Sequence, residues 1–257
     1  IGCGVAGLTA AHILQRRHKV TLFERNARIG GHTHTVVIPT GPDAGTAVDT
    51  GFIVCNDQTY PLFHTLLDQL GVAVRASNMS FSYTDETLPF YYAGTGINGL
   101  FSQRRNLFRP GFWRMLLDIR RFCREGSRDL DEGTLGQVLI GDYVTDGGYG
   151  PHFVNWYLIP MMAAIWSTPP GEVMAFPAAA LLSFFRNHGL LSLHNRPTWQ
   201  TVVGGSHAYV EAFERQFQGT LRPSSPVERV RRLDDGVMVY PAGGEPEHFH
   251  AAVLAVH

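Results

Sequence analysis

The sequence predicts an α/β fold, a Rossmann-like sheet-and-helix domain interrupted by an inserted α+β segment, and three observations predict it. A glycine turn, a helix and a short strand ending in an acid follow one another over residues 1–24. Residues 151–193 are apolar and helix-compatible but broken by Pro160, Pro169, Pro170 and Pro177. From Thr201 the texture returns to strands and a helix. The simplest arrangement builds one domain from residues 1–75 and 200–257 and a second domain from 76–199, with ligand sites expected near such boundaries.

The first element is a G-x-G-x-x-G run, with Gly2, Gly4 and Gly7 at its fixed positions and Cys3, Val5 and Ala6 between them. Such a turn delivers backbone N–H groups and a helix N-terminus to a pyrophosphate, and Leu8–Arg16 supplies the helix. Lys19–Glu24 is then a short apolar strand ending in an acid. Glu24 lies 20 residues past Gly4, where a carboxylate accepts both ribose hydroxyls of an adenosine and repels a 2′-phosphate. Arg25-Asn26-Ala27-Arg28-Ile29-Gly30-Gly31-His32-Thr33 follows. Its paired glycines admit close backbone approach to a ligand, and Arg28, His32 and Thr33 offer donors for phosphate oxygens.

Farther along, Thr59–Leu70 reads as a helix with Leu62, Leu66 and Leu70 on one face and Gly71 as its stop. Residues 80–93 alternate as antiparallel strands do. Pro110–Glu125 reads as a helix with Phe112, Leu116, Ile119 and Cys123 on one stripe and Arg114, Asp118, Arg121 and Glu125 opposite. The segment 151–193 reads as short packed helices. A helix over Ala208–Phe217 and strands near Val227–Leu233, Val237–Tyr240 and Ala251–Val256 complete the pattern. Only Ile1 precedes the glycine turn, no initiator Met is present and the last strand stops in mid-course, so the sequence is expected to be a piece of a longer chain cut at both ends.

A chain of 257 residues is long enough to bury about 75% of its unfolded surface. A net charge of −1 argues against a chain-wide phosphate-backbone binder, and nucleic acid is not an expected partner. Cys3, Cys55 and Cys123 are odd in number and widely spaced, which suits a reducing cytoplasm better than a disulfide framework. No run of about 18 apolar residues predicts a membrane span. His32 and His34 form an H-x-H pair without a further ligand at fitting spacing, so no metal is expected. His248 and His250 share one face of a strand and read as solvent-facing.

Glu24, Arg28, Gly30 and Gly31 together resemble the second motif of the FAD-binding amine oxidase and phytoene desaturase superfamily, with His32 standing where that family carries Arg. Val48-Asp49-Thr50-Gly51-Phe52 resembles the family's acidic-glycine segment beside the flavin, where Asp49 is read as a cap on backbone donors. Gly204-Gly205-Ser206 resembles the turn before the returning helix, and Pro226-Val227 the strand that meets adenine. Asp49–Val54 and Ile165-Trp166-Ser167 look similar to a bacterial branch of predicted NAD/FAD-binding proteins. The resemblance implies a glutathione-reductase-type fold holding FAD, with Gly2, Gly4, Val5, Ala6, Gly7, Glu24, Asn26, Arg28, Gly30, Gly31, His32, Thr33, Gly51, Phe52 and Val227 toward the cofactor.

It also implies an oxidoreductase that moves a hydride from a C–H bond to flavin N5. Amine oxidases of the superfamily usually place a Lys near N5, and the single lysine here, Lys19, sits between the first helix and second strand. That favours a desaturase- or isomerase-like enzyme acting on an apolar substrate, a lipid acyl or polyene chain. The alternatives are a peroxide-forming amine oxidase and a non-catalytic FAD-fold binding module. Trp156, Trp166, Phe176, Phe184 and Phe185 suit either an apolar channel or ordinary core. Residues 101–128 hold eight arginines against Asp118 and Glu125, a net of +6. They read as an ordinary solvated helix face or as a peripheral contact with anionic membrane, which would make the cytoplasmic protein membrane-peripheral.

Overall fold

The computed structural model describes residues 1–85, 87–192 and 197–256. The chain divides into two compact units, Ile1–Ser77 with Thr198–His257, and Asn78–Pro197.

In the first unit, the opening helix Val5–Leu14 starts directly on Gly4. Thr21–Phe23 runs parallel to Thr220–Arg222, pairing Leu22 with Leu221. On the other side of Phe23, its carbonyl accepts the Gly2 N–H at 2.8 Å, and Ile1 in turn accepts the Ala255 N–H at 2.8 Å. The sheet is thus continued from the glycine turn to residues 253–255 by backbone bonds. Over the predicted strand Ala251–Val256 no regular strand is formed among the described residues, and its backbone bonds run to Ile1, whose amino group donates to Val253 O at 2.8 Å.

Three further sheets complete this unit. Trp199–Val202 lies between Cys55–Asn56 and Val74–Ala76, antiparallel to both. Val227–Leu233, Gly236–Pro241 and Glu247–Phe249 form a meander, and Thr35–Val37 pairs with Ala47–Asp49. The helices Pro61–Leu70 and His207–Gln216 join the opening helix around a core of Leu8, Ala11, Leu22, Leu66, Leu67, Leu70, Val202, Tyr209, Val210 and Phe213. Leu62 is 84% exposed, contrary to the sequence reading. The inward stripe is Phe63, Leu66, Leu67 and Leu70, the i, i+3, i+4, i+7 set, and Leu62 lies beside it.

The second unit holds the antiparallel pair Ser82–Asp85 and Phe90–Ala93 and the long helix Pro110–Glu132. That helix passes the expected stop at Glu125 and ends at Gly133, whose φ of 65° closes it in the left-handed region. Gly126 is carried inside it where a Cβ would lie 2.5 Å from Leu182 Cδ2 of the helix Ala178–Asn187, so the two helices pack closely there. Asp118, expected on the solvent face, is only 3% exposed. It accepts the Gly150 N–H at 2.9 Å and meets Arg114 and Arg121 at 3.4 Å each. The expected short helices are Pro151–Phe153, Ile159–Trp166, the 3-10 turn Pro170–Ala175 and Ala178–Asn187. A π-turn at Val154–Leu158 leads into Pro160, which has no N–H to give a regular helix. Phe122, Phe153, Met162, Leu181, Leu182 and Phe185 fill this core.

Candidate functional site

A cavity of about 1090 Å³ opens in the first unit, just above the roughly 300–1,000 Å³ span of ligand pockets. Its floor is the turn Ile1–Ala6. Residues 23–26 and 30–33 form one flank, Phe52, Tyr60, Phe63 and Tyr209 another, and 225–227 with 254–256 close it.

The glycines of the turn serve two different ends. A Cβ on Gly7 would run into the Gly2 carbonyl oxygen, so that glycine lets the helix sit against its own approach strand. Gly4 is another matter. Its φ of −75° and ψ of −179° suit any residue, and a Cβ there would meet only Gly31 Cα, at 3.9 Å. Among the described residues nothing requires glycine at position 4, so the room it leaves is room for something in the cavity. Gly31, at φ 61°, backs onto it so tightly that a Cβ would come within 2.8 Å of Gly4 Cα.

Glu24 is buried beside this floor. Its Oε2 accepts the Cys3 N–H at 2.9 Å and its Oε1 the Asn26 N–H at 3.0 Å, which fixes the carboxylate while leaving lone pairs on both oxygens for hydroxyl donors. Cys3 itself is fully buried, and desolvation, with the Glu24 charge adding to it, pushes its thiol pKa up to about 12. The Gly30 N–H donates to Cys3 O at 2.8 Å and ties the second glycine loop to the first.

Arg28 stands apart from the expectation of a phosphate donor. Its guanidinium donates to Thr33 O at 2.5 Å and Gly31 O at 3.0 Å, and it lies outside the cavity lining. It braces the loop that presents His32 and Thr33. Gly51 is also behind the lining, where a Cβ would collide with the His32 carbonyl, so a side chain at 51 would displace His32. Thr33 Oγ1 and Tyr209 OH share a buried hydrogen bond of 2.7 Å, and burial raises the Tyr209 pKa. Tyr209 packs edge-on to Phe63 at 5.5 Å, and Phe63 to Phe52 at 5.1 Å.

Asp49 caps the returning helix as the sequence predicted. Its Oδ1 accepts the Ser206 N–H and hydroxyl at 2.8 Å each, and Thr35 Oγ1 donates to it at 2.5 Å while accepting the His207 N–H at 2.9 Å.

The structure therefore brings Gly2, Gly4, Val5, Ala6, Glu24, Asn26, Gly30, Gly31, His32, Thr33, Phe52 and Val227 to one cavity, and sets Gly7, Arg28 and Gly51 behind it. Sequence reasoning missed Arg25, Tyr60, Phe63, Tyr209, Ser225 and the segment 254–256 as lining. Tyr60 and Phe63 sit at the start of a helix whose pattern announced only a core face, and Tyr209 carried no motif. His34 Nδ1 lies 2.9 Å from Thr50 Oγ1, and no group of three metal-ligating side chains occurs among the described residues. Lys19 is exposed and does not line the cavity. Of the aromatics weighed for a channel, Phe185 is fully buried core, while Trp166 packs on Phe184 and Phe176 in the second unit.

Comparison with known proteins places this arrangement. The family model described as flavin containing amine oxidoreductase matches residues 5–257. An L-amino-acid oxidase of Siganus canaliculatus is 25% identical over 93% of this chain and 45% of its own length. A putrescine oxidase bound to putrescine superposes with a TM-score of 0.68 at 17% identity, covering 95% of this chain and 54% of that one. The CLA-producing fatty acid isomerase of P. acnes gives 0.62 at 16% identity, covering 98% and 57%. The chain spans about half the length of these relatives. FAD fits the residues present: the side-chain-free floor at Gly4 suits a pyrophosphate, the anchored Glu24 a ribose, and the cavity is of dinucleotide size. Motif, cavity and family match agree over nearly the whole sequence, and the chain belongs to the flavin containing amine oxidoreductases.

Proposed function

We propose that the chain is the cofactor-holding part of an FAD-dependent oxidoreductase that removes a hydride from a C–H bond of an apolar substrate, a lipid acyl or polyene chain. The observation that carries the redox reading is the cavity floor, where Gly4 is glycine for no reason internal to the protein. When bound, FAD supplies the hydride acceptor. The chain's own residues bind and orient it. The backbone at Gly2–Ala6 and the start of the helix Val5–Leu14 would hold the pyrophosphate, Glu24 would receive ribose hydroxyls, and Val227 and Pro226 line the closing edge with backbone and apolar surface. Thr33 and Tyr209, locked to each other, fix the wall next to His32.

The apolar-substrate reading is supported by the position of Lys19, exposed and outside the cavity lining, since amine oxidases of the superfamily usually place a Lys near N5. An amine oxidase is the second reading, favoured by the L-amino-acid oxidase relative. The test uses the full-length protein. Anaerobic bleaching of its visible flavin band by unsaturated fatty acyl donors, with no response to amines or amino acids, is the expected result. Bleaching by amines with peroxide release in air would establish the second reading instead. A flavin that no donor bleaches would mean a non-catalytic binding module.

A further inference from the structure

We propose that the surface carried by residues 97–117 docks onto an anionic lipid bilayer. From Thr87 to Leu117 the chain contains Arg104, Arg105, Arg109 and Arg114 and no acid. On the same stretch Ile97, Leu107, Phe108, Trp113 and Leu117 are exposed, Phe108 by 86%, Ile97 by 77% and Leu117 by 61%. Trp113 and Leu117 are one turn apart on the long helix, and Trp113 Nε1 donates to Leu107 O at 2.9 Å, which gathers these side chains together.

Their exposure is built into the packing. The buried side of the segment is already filled by Phe90, Tyr92, Phe112 and Met115. The segment is pinned by polar bonds to the strand Phe90–Ala93 and the turn before it: Asn106 Nδ2 donates to Tyr91 O at 3.0 Å, Gln103 Nε2 to Pro89 O at 2.7 Å and Arg109 to Pro89 O at 3.0 Å. The outward apolar side chains therefore have no place to turn inward. A rigid apolar ridge bearing Trp and flanked by arginines, without acids, is complementary to the interface of an anionic membrane, where indole sits at headgroup level and basic side chains meet lipid phosphates. The footprint is narrower than the basic stretch 101–128. Within the helix Pro110–Glu132 the five arginines are balanced by Asp118, Glu125, Asp129, Asp131 and Glu132, so the uncompensated charge lies at Arg104, Arg105 and Arg109. The inference is independent of the substrate proposed above, because an enzyme for a water-soluble substrate can also dock on lipid.

The test is flotation of the full-length protein with vesicles of phosphatidylcholine alone or mixed with phosphatidylglycerol, at low and high salt. The protein is expected to float with the anionic vesicles only, and less at high salt. Arg104→Gln with Arg105→Gln should weaken partitioning about thirtyfold and Phe108→Ser about tenfold. All three positions are exposed, so their melting midpoints should stay at that of the parent. Arg231→Gln with Arg232→Gln, an equal charge loss in the other unit, should bind as the parent does. The inference is overturned if the parent fails to float with anionic vesicles, as it will if another segment or an acidic protein covers the ridge. Equal flotation with neutral vesicles, or an equal loss in the Arg231 and Arg232 control, overturns it as well.

Discussion

The two units solve the problem of fixing polar groups in opposite ways. In the first, backbone N–H groups are prominent donors: those of Cys3 and Asn26 hold Glu24, and that of Ser206 holds Asp49 together with the Ser206 and Thr35 hydroxyls. Close approach there is secured by side chains that are absent, at Gly7, Gly31 and Gly51. In the second, side chains of other segments reach the acids of the long helix Pro110–Glu132. Tyr143 donates to Asp129 at 2.7 Å, Tyr149 donates to Glu125 at 2.8 Å, and the Arg121 guanidinium lies 4.0 Å over the Tyr149 ring. The close approaches at Gly7, Gly31 and Gly51 are damaged by added atoms, and the carboxylate links of the long helix by removed ones.

The largest effect should come from an added atom. Gly7→Ala forces a Cβ into the Gly2 carbonyl, and a destabilisation above about 3 kcal/mol with loss of bound FAD is expected. Gly171→Ala in the second unit meets nothing within 4 Å and should change stability by less than about 0.5 kcal/mol. Equal melting midpoints for the two variants would erase the contrast.

A removed atom comes next. Asp118→Ala leaves the Gly150 N–H without its acceptor and takes the paired carboxylate from Arg114 and Arg121, and should cost about 2 kcal/mol, discounted for the partial exposure of both arginines. Urea unfolding followed by tryptophan emission reports it well, since Trp113, Trp156 and Trp166 lie in this unit.

Alkaline pH should separate the units more gently. Burial raises the pKa of Tyr92, Tyr143 and Tyr149, in the last two aided by the Asp129 and Glu125 acceptors. A raised folded-state pKa holds its stabilisation in full below the unfolded value and loses it as pH climbs toward the folded one. The second unit should therefore weaken from about pH 10 upward. In the first unit Cys3, at about 12 against an unfolded value near 8.5–9, starts the decline earlier. Limited proteolysis across pH 8 to 11, with the cuts mapped, should show the first unit opening first, and the reverse order would refute the assignment.

The smallest change in stability is the sharpest probe of the site. Gly4→Ala should leave the melting midpoint of the FAD-free protein within about 0.5 kcal/mol of the parent, because its Cβ finds only Gly31 Cα at 3.9 Å. Affinity for FAD, titrated by quenching of flavin fluorescence, should fall at least tenfold. Unchanged affinity would remove the argument that position 4 is kept bare for a ligand.

This division also explains what the sequence disclosed. Gly2, Gly4, Gly7 and Glu24 were legible because the backbone geometry they serve admits few residue types at fixed spacing. Asp49 was legible as a cap for the same reason. Asp118 was not, because an acid four residues after an arginine reads as a solvent-facing pair, and only the Gly150 N–H, distant in sequence, draws it inward. Tyr209 and Phe63 were hidden because an aromatic on an amphipathic helix has the same pattern whether it fills a core or walls a cavity. Arg28 was found as a motif residue, yet its direction, toward carbonyls of its own loop, depends on coordinates that spacing does not carry.

The discontinuity of the first unit has a consequence during synthesis. The glycine turn is made before its partners: Asp49 waits for Ser206, Thr33 for Tyr209, and Ile1 for Val253 and Ala255. All of Asn78–Pro197 is translated in between, on the order of ten seconds at about 5–20 residues per second. During that interval the second unit has its own core available and can fold, while the cofactor cavity is still missing its closing edge. Closure of the FAD cavity is thus tied to the synthesis of residues 198–256, well after its glycine floor has been made.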